Sequence, residues 1–250
     1  MYRYFIEVAY KGTNYSGFQI QQNANSIQSE VNNALKTFFR KNFQLTGSSR
    51  TDAGVHALQN YFHFDSVEEL NFEKDFTYNL NALLPKDIVI KKIFPVKSSA
   101  HCRFDAVSRE YKYFIHQDKN PFVLDTAFYF PFKIDIDLLN QAAKEIMSYD
   151  DFESFSKKNT QAKTSICKII KSEWYWENDI LVYKVVANRF LRGMVKGLVG
   201  TMLKCATGKL AIQQFSNIIE NKDLSRVYFS PPSHGLVLQV VKFRDDIFSL

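Results

Sequence analysis

The chain has 250 residues, 46% hydrophobic and 23% charged, which excludes a disordered polymer and allows one large domain or two modest ones. A net charge of +6 favours an anionic partner without specifying one, and 23 Phe with 13 Tyr suit either a core or stacking on unpaired bases. Three widely spaced cysteines, none in a CxxC pair, argue against a disulfide framework or zinc site, and no apolar run approaches the ~18 residues of a membrane span.

The opening MYRYFIEVAY lacks a signal-peptide profile, and the cysteine usage suits a reducing cytosol, so a soluble cytoplasmic protein is expected. Tyr4, Ile6 and Val8 alternate with Phe5, Glu7 and Ala9, predicting a strand with one well-buried face. Lys11-Gly12-Thr13-Asn14 is a turn signal. Asn25 with Gln28 resembles a capping pair opening a helix whose Ile27, Val31, Ala34, Leu35 and Phe38 share a face. Gly47 to Gly54 reads as a loop before an aromatic strand at Tyr61 to Phe64. Phe76, Leu80, Leu83 and Leu84 predict a helix closed by Pro85, and Ile88 to Phe94 a strand.

The second half repeats this grammar. Glu110 to His116 reads as a strand, and Leu138, Ala142, Ala143 and Ile146 mark a helix. Ile169 to Trp176 and Leu181 to Ala187 form a hairpin turned at Glu177-Asn178-Asp179, with Trp174 and Trp176 both read as packing. Phe190 to Ala206 is the clearest helix, followed by Gly208 and by a shorter helix carrying Ile212, Phe215 and Ile219. Val237 to Phe243 makes a last strand. The grammar is α+β in two similar halves, 1–104 and 105–250, with no linker of Pro and Gly between them.

The densest polar cluster is Thr46-Gly47-Ser48-Ser49-Arg50-Thr51-Asp52-Ala53-Gly54-Val55-His56-Ala57. In an extended segment Arg50 and Asp52 point to the same side, and an arginine beside a carboxylate favours the charged form that can act as nucleophile or base. The plain alternative is a turn in which Asp52 only bonds nearby backbone amides. Lys157, Lys158, Lys163, Lys168 and Lys171 form an acid-free run that is a solvated loop or a strip of phosphate contacts. Arg189, Arg192, Lys196 and Lys204 fall near one face of the predicted helix. The five histidines share no metal spacing, and His63 on its strand reads as structural.

Arg50-Thr51-Asp52-Ala53-Gly54-Val55-His56-Ala57 resembles, residue for residue, the signature of TruA-type tRNA pseudouridine synthases. Further matches run in order along the chain. They are Tyr10-Lys11-Gly12-Thr13 with Tyr15-Ser16-Gly17-Phe18-Gln19, Ser26-Ile27-Gln28, Asn81-Ala82-Leu83-Leu84-Pro85, and Phe104-Asp105-Ala106. Arg109-Glu110-Tyr111-Lys112-Tyr113, the stretch Ala187 to Lys196, Pro231-Pro232 and Gly235-Leu236 complete the series.

The resemblance implies the pseudouridine synthase fold, with antiparallel sheets packed against helices around a central cleft. It implies isomerisation of uridine to pseudouridine at positions 38, 39 and 40 of the tRNA anticodon arm, by a homodimer that holds tRNA, with no metal or organic cofactor. Carried over by position, Asp52 is the catalytic aspartate, Tyr111 stacks on the target base and Arg50 assists base flipping. Lys196 stands where the family commonly has an arginine, and Leu236 lines the base pocket. Two competing readings are a non-catalytic RNA-binding protein of the same fold and an unrelated α+β hydrolase using Asp52 with a water. Arg50 and Asp52 with Tyr111 speak against the first, and the lack of metal ligands or a Ser/His pair against the second.

Overall fold

A computed structural model describes residues 1–72, 75–157 and 163–248. The elements run β1 (Tyr2–Tyr10), α1 (Ile27–Phe39), β2 (Thr46–Gly47), β3 (His56–Ser66), α2 (Phe76–Asn81), β4 (Ile88–Val96) and β5 (Ala106–His116). After these come β6 (Phe128–Tyr129), α3 (Ile136–Glu145), β7 (Ile169–Glu177), β8 (Ile180–Ala187), α4 (Met194–Ala206), α5 (Ile212–Glu220) and β9 (Leu236–Phe243). The chain divides into two compact units, each α+β. One holds Met1–Val107 and the chain from Leu238 onward, and the other holds Ser108–Val237. The last strand begins with Leu236 and Val237 of the second unit and continues from Leu238 in the first.

In the first unit the strands lie in the order β4-β1-β3-β9, with the short β2 on β3. β1 runs antiparallel to both β3 and β4, pairing Val8 with Asn60 on one side and with Ile90 on the other. The alternation read from the sequence predicts one buried face for β1, yet Phe5 is fully buried and Glu7 is only 8% exposed. β1 is a central strand, and its second face is covered: Phe5 lies 5.4 Å from Phe243 and 6.1 Å from Phe94. On the first face Tyr4 stacks on Phe64 and meets Phe72 edge-on, and Phe72 leads to Phe76 of α2. Phe18 lies flat on Phe62 at 4.4 Å, a pairing that adds about 0.5–1.5 kcal/mol beyond burial.

The cap of α1 is Ser26 rather than Asn25. The Ser26 hydroxyl accepts from the Ser29 backbone N–H, and the Ser29 hydroxyl accepts from the Ser26 N–H. Ile27, Val31, Ala34 and Leu35 are buried as expected, but Phe38 sits at the rim. The helix expected over 76–84 stops at Asn81, because the Asn81 side chain exchanges both its hydrogen bonds with the Ile90 backbone and holds the chain against β4. Leu83 is correspondingly exposed.

The second unit has strand order β5-β8-β7, with β6 running parallel to the end of β5. β6 carries no sequence signal, being two residues long. The β7–β8 hairpin appears as predicted, with Asn178 at φ 54 in its turn. Trp174 is buried, stacks on Tyr183 at 4.7 Å and points its indole N–H at Met202 Sδ of α4, 3.3 Å away, whereas Trp176 on the same strand face is 44% exposed. α4 begins at Met194, not Phe190. Gly193 adopts φ 75, a left-handed conformation that separates residues 190–192 from the helix. From there α4 is buried almost all round, and at Gly200 a Cβ would lie 1.9 Å from the Tyr228 carbonyl oxygen, so only glycine allows that crossing.

Burial makes one group on this framework sensitive to acid. His63 of β3 is 6% exposed, and desolvation, reinforced by His101 and Arg3, pushes its pKa down to about 4. The folded protein therefore binds fewer protons than the unfolded chain as pH falls from about 6.5 to about 4, and stability declines across that window. Denaturant unfolding of wild type and His63→Leu at several pH values is expected to show the decline, flattened in the variant.

Candidate active site

The segment that carries the sequence signature is a loop between β2 and β3, and its backbone is fastened on two sides. Toward β3, the Ser48 N–H donates to the Tyr61 carbonyl at 2.8 Å. Toward the loop after β1, the Phe18 N–H donates to the Thr51 carbonyl at 3.1 Å, and the Gly12 N–H donates to His56 Nδ1 at 2.9 Å. The Val55 N–H closes a tight turn back to the Asp52 carbonyl at 3.2 Å, with Gly54 at φ 76. A Cβ on Gly12 would lie 2.0 Å from the Val55 carbonyl oxygen, so the two loops touch backbone to backbone. Gly12 is a glycine because this approach leaves no room for a side chain.

The fastening sorts the side chains. Thr51 is buried, Arg50 on one side of it is exposed, and Asp52 on the other is half-buried. This is the alternation expected of an extended segment, and it presents a guanidinium and a carboxylate beside an inward-facing threonine. A carboxylate held by a short turn on fixed strands can act as a nucleophile or a proton acceptor.

The other residues singled out by sequence belong to the second unit. Tyr111 lies in the middle of β5 opposite Val185, is 9% exposed, and meets Phe190 edge-on at 5.1 Å. Two residues earlier, Arg109 donates from Nη1 to the Asn188 carbonyl at 2.9 Å and so ties β5 to the segment leading into α4. Lys196 occupies the first turn of α4, where its ammonium donates to the Ser233 hydroxyl at 3.2 Å. Leu236 opens β9 and is buried. The turn before it is set by Tyr113, which donates to the Pro232 carbonyl at 2.7 Å and leaves no space for a Cβ on Gly235.

Several charged residues are arranged differently from the expectation. Only Lys196 and Lys204 stand on α4, since Arg189 and Arg192 precede it. Lys204 lies 4.6 Å from the ring centre of Tyr228. In the lysine run, Lys163, Lys168 and Lys171 are exposed and Lys157 half-buried, while Lys158 falls outside the described residues.

The spacing of the histidines gives no hint that His63, His101 and Cys102 meet, yet their ligand-type atoms lie within 4.8 Å of one another. The backbone N–H of Cys102 donates to His63 Nδ1, and those of Arg103 and Phe104 donate to His101 Nδ1. Both Nδ1 atoms thus face backbone donors, an arrangement that suits imidazoles protonated on Nε2, and His63 Nδ1 also lies 3.2 Å from Cys102 Sγ. Motif matching along the sequence also passes over Asn60. A polar asparagine directly before the aromatic run Tyr61 to Phe64 is the sequence signal, and the structure buries it completely.

Residues 6–105 and 142–244 match the family model described as tRNA pseudouridine synthase. The chain is 42% identical to a tRNA pseudouridine synthase A of Parabacteroides distasonis, over 99% of this chain and 98% of the relative. It is 43% identical to a protein of the same name from Porphyromonas gingivalis, over 99% and 100%. A third such protein, from Staphylococcus aureus, is 34% identical over 96% and 90%.

The contact between Gly12 and Val55 is directly testable. Gly12→Ala is expected to destabilise the protein by about 1–3 kcal/mol, the usual range for forced overpacking, as measured by urea unfolding. Unchanged stability would mean that the two loops separate freely.

Proposed function

The chain belongs to the tRNA pseudouridine synthase family, and from that membership we propose that it isomerises uridine in the tRNA anticodon arm, at positions 38, 39 and 40, with Asp52 as its catalytic group. The observation that carries the assignment is the placement of Asp52, half-buried in a turn whose backbone is fastened to both neighbouring segments.

The reaction breaks the bond between N1 of uracil and C1′ of ribose and joins C5 to C1′, with C5 losing a proton and N1 gaining one. Substrate and product are isomers, so the change needs no oxidant or donor. A carboxylate can assist by adding to C6 of the base, by attacking C1′, or by removing a ribose proton. All three routes require the oxygen within bonding reach of one nucleotide. The base must leave its stack, at a cost of about a few kcal/mol. An aromatic platform recovers about 1–3 kcal/mol of that, and this is the role assigned to Tyr111 from its place in the family motif. Arg50, exposed beside Asp52, is assigned to assisting the flip. Lys196 and Leu236 take the positions of the family's basic partner and pocket wall. A homodimer acting in the cytoplasm completes the proposal. Among the described residues no helix is long and apolar enough to cross a membrane.

Asp52→Asn removes the charge with little change of volume. It is expected to abolish pseudouridine formation, read by nucleoside chromatography of digested tRNA, while tRNA affinity stays within about threefold, a difference of about 0.65 kcal/mol. Full turnover in this variant would reject the assignment. Tyr111→Phe keeps the ring and loses the hydroxyl, so turnover is expected to fall more than affinity, and unaltered turnover would show the hydroxyl to be idle. Binding is expected to weaken steeply with added salt as phosphate counterions are released. Affinity that ignores salt would contradict a basic tRNA-binding surface.

A further inference from the structure

Asp52 is only as well placed as the residue before it. Thr51 is 7% exposed, and its hydroxyl lies 2.7 Å from the Tyr10 hydroxyl. The Tyr10 oxygen accepts a hydrogen bond from Asn60 Nδ2 at 3.1 Å. Asn60 is fully buried on β3, and two of its other three bonds return to the same loop. Nδ2 also donates to the Ser49 carbonyl at 2.8 Å, and Oδ1 accepts from the Ser49 N–H at 3.2 Å and from the Tyr61 N–H at 2.9 Å. An amide side chain has two N–H donors and two acceptor lone pairs, and here all four are engaged.

We propose that Asn60 is a positioning residue for Asp52, acting through Ser49 on one side of Arg50 and through Tyr10 and Thr51 on the other. The proposal rests on the reading of Asp52 as the catalytic group. One rigid amide grips Ser49 by both its N–H and its C=O, and through a phenol it fixes the threonine that leads into the carboxylate. An apolar residue of similar size would fill the same space but leave the Ser49 backbone groups and the Tyr10 hydroxyl short of partners inside the protein. What the amide supplies beyond stability is one fixed geometry for residues 49–52. Misplacing a reacting group by about 1 Å reduces rate about 100-fold.

The test uses Asn60→Asp, which keeps the shape and removes both donors, and Thr51→Val, which removes one hydroxyl, with Thr51→Ser restoring it. Three quantities are read on the full chain: the single-turnover rate of pseudouridine formation at saturating enzyme on a tRNA transcript, tRNA Kd, and the thermal midpoint. Asn60→Asp and Thr51→Val are expected to slow the step about 10- to 100-fold. Kd should change by less than about threefold, and Thr51→Ser should recover most of the rate. Normal rates in both variants, with only the thermal midpoint lowered, would make the network merely structural and overturn the proposal. A Thr51→Ser protein as slow as Thr51→Val would overturn it as well. Should Asn60→Asp not fold, the Val and Ser pair decides alone. An inactive Asp52→Asn beside full-rate Asn60→Asp and Thr51→Val overturns the positioning role and leaves Asp52 standing. An active Asp52→Asn removes the reading on which the role rests.

Discussion

The segment around Asp52, the proposed catalytic group, draws its stiffness from backbone contact between two turns. The chain after β1 and the chain before β3 meet so closely at Gly12 and Val55 that no Cβ fits between them. Hydrogen bonds from Gly12, Phe18 and Ser48 secure the residues on either side of Asp52. Because β1 and β3 are themselves paired over nearly their whole length, the turn inherits the rigidity of a sheet. The placement of Arg50 and Asp52 outside and Thr51 inside follows from this arrangement.

The aromatic excess of the composition serves this rigidity. Phe18 and Phe62 stack under the loop, Tyr10 stacks on Phe18, and Tyr4, Phe64, Phe72 and Phe76 continue the layer toward α2. Composition alone leaves open whether the aromatics are core or stacking platforms. In the first unit many of them are core. Buried rings leave little room for side-chain rearrangement, which suits a site whose function depends on fixed geometry.

Much of the fold is legible wherever a pattern is local. The β7–β8 hairpin and α5 follow from alternation, a turn at Asn178 and helical spacing. Sequence and structure part where a tertiary partner or a special backbone conformation decides. β1 is buried on both faces because Phe243 returns from the far end of the chain, and no window of local sequence contains that fact. α4 starts at Met194 rather than at Phe190, where the apolar periodicity begins, because Gly193 turns left-handed. The candidate site divides the same way. The signature around Asp52 is contiguous and can be read directly. The residues that hold it are distant in sequence from what they grip: Asn60 lies 50 positions from Tyr10, and Gly12 lies 44 from His56. The trio of His63, His101 and Cys102 is likewise assembled by bringing a strand against a distant turn.

The claim on which everything else depends is that this chain makes pseudouridine in the anticodon arm of tRNA. Incubation of the purified protein with an unmodified tRNA transcript, followed by carbodiimide mapping of the product, tests it most directly. The account predicts new adducts at positions 38, 39 or 40. A transcript that is bound yet returned with every uridine intact, or modified only outside the anticodon arm, would contradict it.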